Sequence, residues 1–202
     1  MTTGRIEAFS DGVFAVAITI LALGIAVPLH AHGRLAQMLL EQWPQFSAYA
    51  VSFALIGIIW VNHHTIFDQF TRVDRPLLFL NILLLLFVVL IPLGTSLLAR
   101  YIEAGSDSHV AAVFYSAVFF FLSIGFTLIW GYALRTPGIL QHPLYGADAR
   151  TSLIRFSVVG LSVYIVTIVV ALISAVLCLA IHALIALYYV FDQARGGMSE
   201  NA

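Results

Sequence analysis

Apolar residues run along this chain in six blocks, at about 6–28, 45–67, 76–99, 108–134, 152–172 and 175–191, separated by short polar links. A helix of roughly 20 apolar residues crosses the ~30 Å hydrocarbon core of a bilayer, so each block is the length of one crossing. The last two blocks form one stretch, Ser157 to Val190, interrupted only by small polar residues and His182. One helix of that length is far too long to cross once, and two helices joined by a tight turn near Ser174 fit better. The pattern therefore predicts an all-α protein: one six-helix transmembrane domain over residues 1–202, with a disordered tail at 193–202. The links are too short for a further domain. The first, 29–43, follows Pro28 and holds His30, His32 and Gly33 near its start. The longest on the side of the termini, 136–149, holds Pro137, Gly138, Pro143 and Gly146.

Composition strengthens this reading. Hydrophobic residues make up 61% of the 202 and charged residues 9%, against about 45–50% and about 25% in a soluble domain. The chain lacks the polar residues to cover itself, so lipid is its main solvent. A net charge of −1 offers nucleic acid no basic surface. The single cysteine, Cys178, excludes an internal disulfide and a cysteine-based zinc site. The first block is read as a retained span rather than a cleaved signal peptide, because Glu7 and Asp11 stand where a signal peptide is basic.

The nine basic residues are all arginine, and they set the orientation. Six crossings place both termini on one side, together with Arg5, Arg72, Arg75, Arg135, Arg150, Arg155 and Arg195. Only Arg34 and Arg100 fall on the other. The positive-inside rule then makes both termini cytoplasmic. A five-helix count moves Arg195 outside and fits worse. Trp43, Trp60, Trp130 and Tyr101 fall near block ends, as interfacial aromatics do.

Candidate chemistry concentrates at the start of the first block, where Arg5, Glu7 and Asp11 fall within seven residues. Ionisable groups at membrane depth are normally paired inside the bundle; carboxylates in the headgroup region at a helix N-terminus are the plainer alternative. On a helical wheel Gly12, Val16, Thr19, Ile20, Leu23 and Val27 share one stripe, apolar except for Thr19. Asp11 is read as pointing to the opposite side. The stripe suits either a symmetric axis or ordinary packing, with Thr19 bonded to a carbonyl one turn back. His63 and His64 point about 100° apart on a helix and do not chelate one metal together. Their expected role is a hydrogen bond to Asp11 or Ser10 across the bundle. His182 is read as a satisfied buried polar group. Walker, Rossmann, His-Glu-x-x-His and nucleophile-elbow motifs are all missing, as is a TVGYG-type carbonyl filter. No enzyme activity, resident metal or cofactor is expected.

The run Arg5-x3-Phe9-Ser10-Asp11-Gly12 resembles the signature of the transmembrane protein 175 potassium channels. Trp60-x2-His63-His64-x2-Phe67 resembles that family's second helix. The likeness of architecture covers nearly the whole chain, and the specific motifs lie in the first two helices. The resemblance implies a homotetramer in the plasma membrane, as in bacterial members. Its potassium-permeable pore would be lined by the first helix of each subunit, without a carbonyl filter. It implies a narrow hydrophobic layer at Val16, a threonine layer favouring potassium at Thr19, and further pore-facing layers at Ile20 and Leu23. Arg5, Ser10, Asp11 and one of His63 and His64 resemble the network that holds the first helix in place. The chain departs from the family at Val16, where isoleucine or leucine is usual; valine leaves a wider, more easily wetted ring. From the residues alone, a small proton-coupled transporter using Asp11 and His63 or His64 as a relay is the alternative. A membrane enzyme with a histidine-based site ranks last, for want of a nucleophile or ligand set.

Overall fold

In the computed structural model, residues 3–26, 28 and 33–199 are described, without the side chains of 155, 156, 159 and 192–199. They fold into seven helices: α1 (Thr3–Leu23), α2 (Leu35–Glu41), α3 (Trp43–Phe67), α4 (Arg75–Tyr101), α5 (Ser106–Arg135), α6 (Gly146–Ala171) and α7 (Ala175–Ser199). The protein is all-α, and an isolated bridge between Phe70 and Leu140 is the β-type pairing among the described residues. Four helices, α1, α3, α4 and α5, are long and apolar enough to cross a membrane. The apolar parts of α6 and α7, Gly160–Ala171 and Ala175–Phe191, are shorter.

Several boundaries differ from the hydropathy blocks for local reasons. The first helix ends at Leu23, not at 28. Gly24 and Ile25 turn back onto the carbonyls of Leu21 and Ala22, the tightened bonds of a helix end. Gly24 also passes so close to α4 that a Cβ there would sit 3.0 Å from Ser96 Oγ. Val27 lies outside the described residues, as do His30 and His32. The seven-residue α2 is too short to register as a span. The Ser157–Val190 stretch breaks at Leu172–Ser174, where Ile173 and Ser174 both donate to Val170 O and Ser174 Oγ accepts from Leu177 N. α7 runs to Ser199, and residues 200–202 of the expected tail lie outside the described ones. Each added residue of a formed helix gains a backbone bond without a new nucleus.

The most extensive packing is between α4 and α5, followed by α5 with α6. Across α3, α4 and α5 a polar triad is buried: Thr95 Oγ1 donates to Ser52 Oγ at 2.8 Å, and Ser52 Oγ lies 2.9 Å from Tyr115 OH. Such hydrogen bonds give helices a mutual attraction that hydrophobicity cannot supply in lipid. His182 is fully buried on α7, bonded through Nδ1 to Cys178 O and set edge-on to Tyr115, but its Nε2 has no partner among the described residues. It is therefore half satisfied, not satisfied as its isolation in the sequence suggested.

At one end of the bundle the α3–α4 and α5–α6 links are joined. Thr71 N donates to Ile139 O and Gln141 N to Gln69 O. Arg72 donates to the carbonyls of Pro137 and Gly138, and Gln141 Nε2 to Asp68 O. Phe70, Val73 and Ile139 are buried beneath this joint. Asp74 caps α4 through Leu77 N and accepts from Tyr132 OH of α5 at 2.7 Å.

Candidate functional site

The first helix has two faces of similar apolarity and different fates. Ile6, Ser10, Phe14, Ala17 and Leu21 are buried against the subunit, where α1 packs on α3 and α4. The other stripe is exposed among the described residues: Val16 is 56% exposed, Ile20 42% and Leu23 83%, and Gly12 and Thr19 are also exposed. The stripe grouped on the helical wheel is thus the uncovered face. Thr19 belongs to both readings of that wheel. It lies on the exposed stripe, and its Oγ1 donates to Val16 O at 2.9 Å. With the proton committed to the backbone, the oxygen keeps lone pairs that can accept.

The inward face is held by a buried relay. His63 Nε2 donates to Asn81 Oδ1 at 2.8 Å, and Asn81 Nδ2 donates to Ser10 Oγ at 3.0 Å. The amide is oriented by this chain: its NH2 serves Ser10, so its oxygen faces the imidazole N–H. All three residues are essentially inaccessible, which suits a fully satisfied network. The His63 ring also packs edge-on to Phe14 and stacks on Phe67 at 4.2 Å between centroids. Asn81 was missed in the sequence. Its signal was there, a lone amide within the apolar block 76–99, because such a group in lipid finds a partner helix.

The other expected members of the network stand apart from it. Asp11 is exposed and accepts from Trp60 Nε1 of α3 at 2.7 Å. At 100° per residue, Ser10 and Asp11 lie about equally far from the centre of the stripe, on either side of the pole opposite it; Ser10 turns into the bundle and Asp11 toward Trp60. Trp60 is thereby a cross-helix donor as well as an interfacial aromatic. His64 is exposed, 3.3 Å from Asp68 and stacked on Trp60. Arg5 is exposed and makes no hydrogen bond or ion pair among the described residues. The direct bond expected from His63 or His64 to Asp11 or Ser10 is replaced by the indirect path through Asn81. Glu7, His64 and Asp68 offer three ligand atoms within 4.8 Å of one another at the surface, fewer than the four of a closed structural zinc site.

A family model described as the endosomal/lysosomal potassium channel TMEM175 matches residues 5–92, the segment that holds the stripe and the relay. A protein of Streptomyces collinus named as a potassium channel is 46% identical over 192 residues, covering 95% of this chain and 93% of the relative. The chain belongs to the TMEM175 potassium channel family. The chain has the TMEM175 channel fold. A crystal structure of a homologue from Chamaesiphon minutus, described as a lysosomal potassium-selective channel, matches with a TM-score of 0.79. The two are 35% identical, over 94% of this chain and 97% of that one. The chicken TMEM175, named as an endosomal/lysosomal proton channel, is 38% identical over 149 residues, 69% of this chain and 30% of the relative. The chain is accordingly a multi-pass membrane protein of an ion-channel family, whose relatives are named as channels and not as enzymes.

Proposed function

We propose that four copies of the chain form a potassium-permeable channel in the plasma membrane, with the uncovered stripe of α1 from each copy lining the axis. The observation that carries this reading is the exposure of Val16, Thr19, Ile20 and Leu23 on a helix whose other face is locked into the subunit. Each subunit crosses the membrane six times, with both termini cytoplasmic. Two contacts support that topology. The α3–α4 and α5–α6 links, assigned to one side by their arginines, are bonded together. Glu7 near the N-terminus sits beside His64 and Asp68 at the same end.

The mechanism is desolvation. Rings of valine, isoleucine and leucine squeeze water from a permeating ion, and such a constriction gates by dewetting rather than by a carbonyl filter. From Val16 to Leu23 the stack is ~10 Å tall at ~1.5 Å per residue, short enough for a partly hydrated ion. Val16 is the narrowest ring and, being small for that place, wets readily. Thr19 supplies the only side-chain oxygens in the stack, and its lone pairs replace lost water oxygens for potassium more readily than for the tightly hydrated sodium. The Ser10–Asn81–His63 relay and the Trp60–Asp11 bond hold each copy of α1 at the angle this requires.

The test is potassium flux into liposomes holding the purified protein. Val16→Asn wets the constriction and is expected to raise the flux several-fold; unchanged flux in a properly assembled variant overturns Val16 as the gate. The transporter alternative loses its relay, since Asp11, His63 and His64 share no hydrogen bond among themselves.

A further inference from the structure

Where the base of α1 meets the end of α3, folding brings three metal-ligating side chains together. A carboxylate oxygen of Glu7, a ring nitrogen of His64 and a carboxylate oxygen of Asp68 all lie within 4.8 Å of one another. Glu7 stands on α1, His64 in the last turn of α3, and Asp68 at the C-cap of α3. His64 Nε2 and Asp68 Oδ2 are 3.3 Å apart. Tetrahedral ligands at zinc distances of about 2.0–2.2 Å stand roughly 3.3–3.5 Å from each other, so this edge has the length a metal requires. The rotatable Glu7 side chain closes the rest. The α3 pair is braced from outside. The His64 ring stacks on Trp60 at 6.3 Å between centroids, and Trp60 is bonded to Asp11. Asp68 donates its backbone N–H to His64 O and accepts from Gln141 Nε2. Contacts of this kind orient metal ligands.

The two carboxylates lack a countercharge. No arginine whose side chain is described pairs with Glu7 or Asp68. Arg72 donates to the carbonyls of Pro137 and Gly138, and Arg5 lies about 160° round α1 from Glu7. A proton on His64 Nε2 makes one N–H, which serves Asp68 and leaves Glu7 beside a second carboxylate. A divalent cation answers both at once. We infer that Glu7, His64 and Asp68 bind a divalent transition-metal ion, with zinc as the type, in an open site that ties the base of α1 to α3. The imidazole argues against magnesium and calcium, which take oxygen ligands. Three protein ligands leave a position for water, the arrangement of zinc sites whose metal stays accessible. His64 and Asp68 are exposed, so the ion enters from solution. Glu7 lies about 180° round α1 from Val16, so the site is off the stripe and the inference does not depend on what that stripe lines.

The test uses the detergent-solubilised full-length protein without a polyhistidine tag. Cobalt(II) is titrated and read by its visible absorption, then displaced with zinc; the unfolding midpoint is measured with and without zinc, magnesium or calcium. Cobalt is expected to give ligand-field bands that zinc removes, and zinc, unlike magnesium or calcium, is expected to raise the midpoint, as a ligand of the folded state does. Loss of an outer contact to a metal site already costs about 10–100-fold in affinity. Glu7→Gln, which removes a ligand, is therefore expected to weaken zinc by at least about tenfold and to cancel the rise in midpoint. His64→Asn should do the same, while Glu103→Gln, an exposed carboxylate on the α4–α5 link, should change neither. The midpoint without metal reports that each variant folds. Absence of cobalt bands and of any zinc effect in the wild type overturns the inference. Equal effects of calcium or magnesium overturn it as well, since they mark a generic acidic surface. A zinc effect that survives Glu7→Gln also overturns it, because the metal is then held by the α3 pair alone or by histidines elsewhere. No ion flux is measured, so this test and that of the proposed channel fail independently.

Discussion

The two faces of α1 are made of nearly the same material and differ only in what they touch. Ile6, Phe14, Ala17 and Leu21 face inward, while Val16, Ile20 and Leu23 face outward. Each face carries one hydroxyl residue: Ser10, buried and bonded to Asn81, and Thr19, exposed and bonded to its own helix. The contrast teaches that hydrophobicity does not separate structure from function in a membrane helix. Partnership does. A side chain held by another helix is replaceable only at a cost in stability, and one left open in the subunit is, on the proposed reading, free to change conduction without disturbing the fold.

That contrast can be broken most directly at Phe14. Phe14→Ala empties a buried site against the His63 ring and is expected to cost about 3–5 kcal/mol, seen as a large drop in the thermal unfolding midpoint of detergent-solubilised protein. A change within error would show that the inward face is not packed as described. Next is the relay. Asn81→Leu strands the His63 N–H and the Ser10 hydroxyl and is expected to destabilise by about 1–3 kcal/mol, by the same measurement. Removing both polar ends in Ser10→Ala/His63→Leu/Asn81→Leu should recover part of that loss, since an apolar replacement of all partners leaves no orphaned group.

The outward face should respond in the opposite currency. Thr19→Ala is expected to leave the unfolding midpoint unchanged while the reversal potential in mixed potassium and sodium shifts toward the sodium equilibrium potential. An unmoved reversal potential refutes the role given to the hydroxyl. A similarly small stability effect is expected for Leu23→Ala at the most exposed position, within about 0.5 kcal/mol. A loss like that at Phe14 would show that the exposed stripe is a structural contact in the assembly.

How much of this was legible beforehand differs from feature to feature. The all-helical, membrane-embedded fold was written in the blocks of apolar residues, because twenty such residues in a row have few other solutions. The Phe9-Ser10-Asp11 and His63-His64 segments carried the family. The stripe on α1 was legible as a stripe, since a period of 3.6 residues groups the same positions wherever the helix lies. The link from Ser10 to His63 was not legible, because Asn81 is 18 residues from one and 71 from the other. Nor was the union of Thr71 with Ile139, separated by 68 residues, or the loss of Asp11 to Trp60.

What the sequence determined on its own, then, is the medium, the helical blocks and the grouping of positions into faces, all of which follow from local periodicity and transfer from water. Which face of α1 packs and which stays uncovered was decided only by the tertiary structure. Lipid is as apolar as leucine, so burial in a membrane is chosen by shape and by hydrogen bonds between distant residues, and neither is written in the pattern of a single helix.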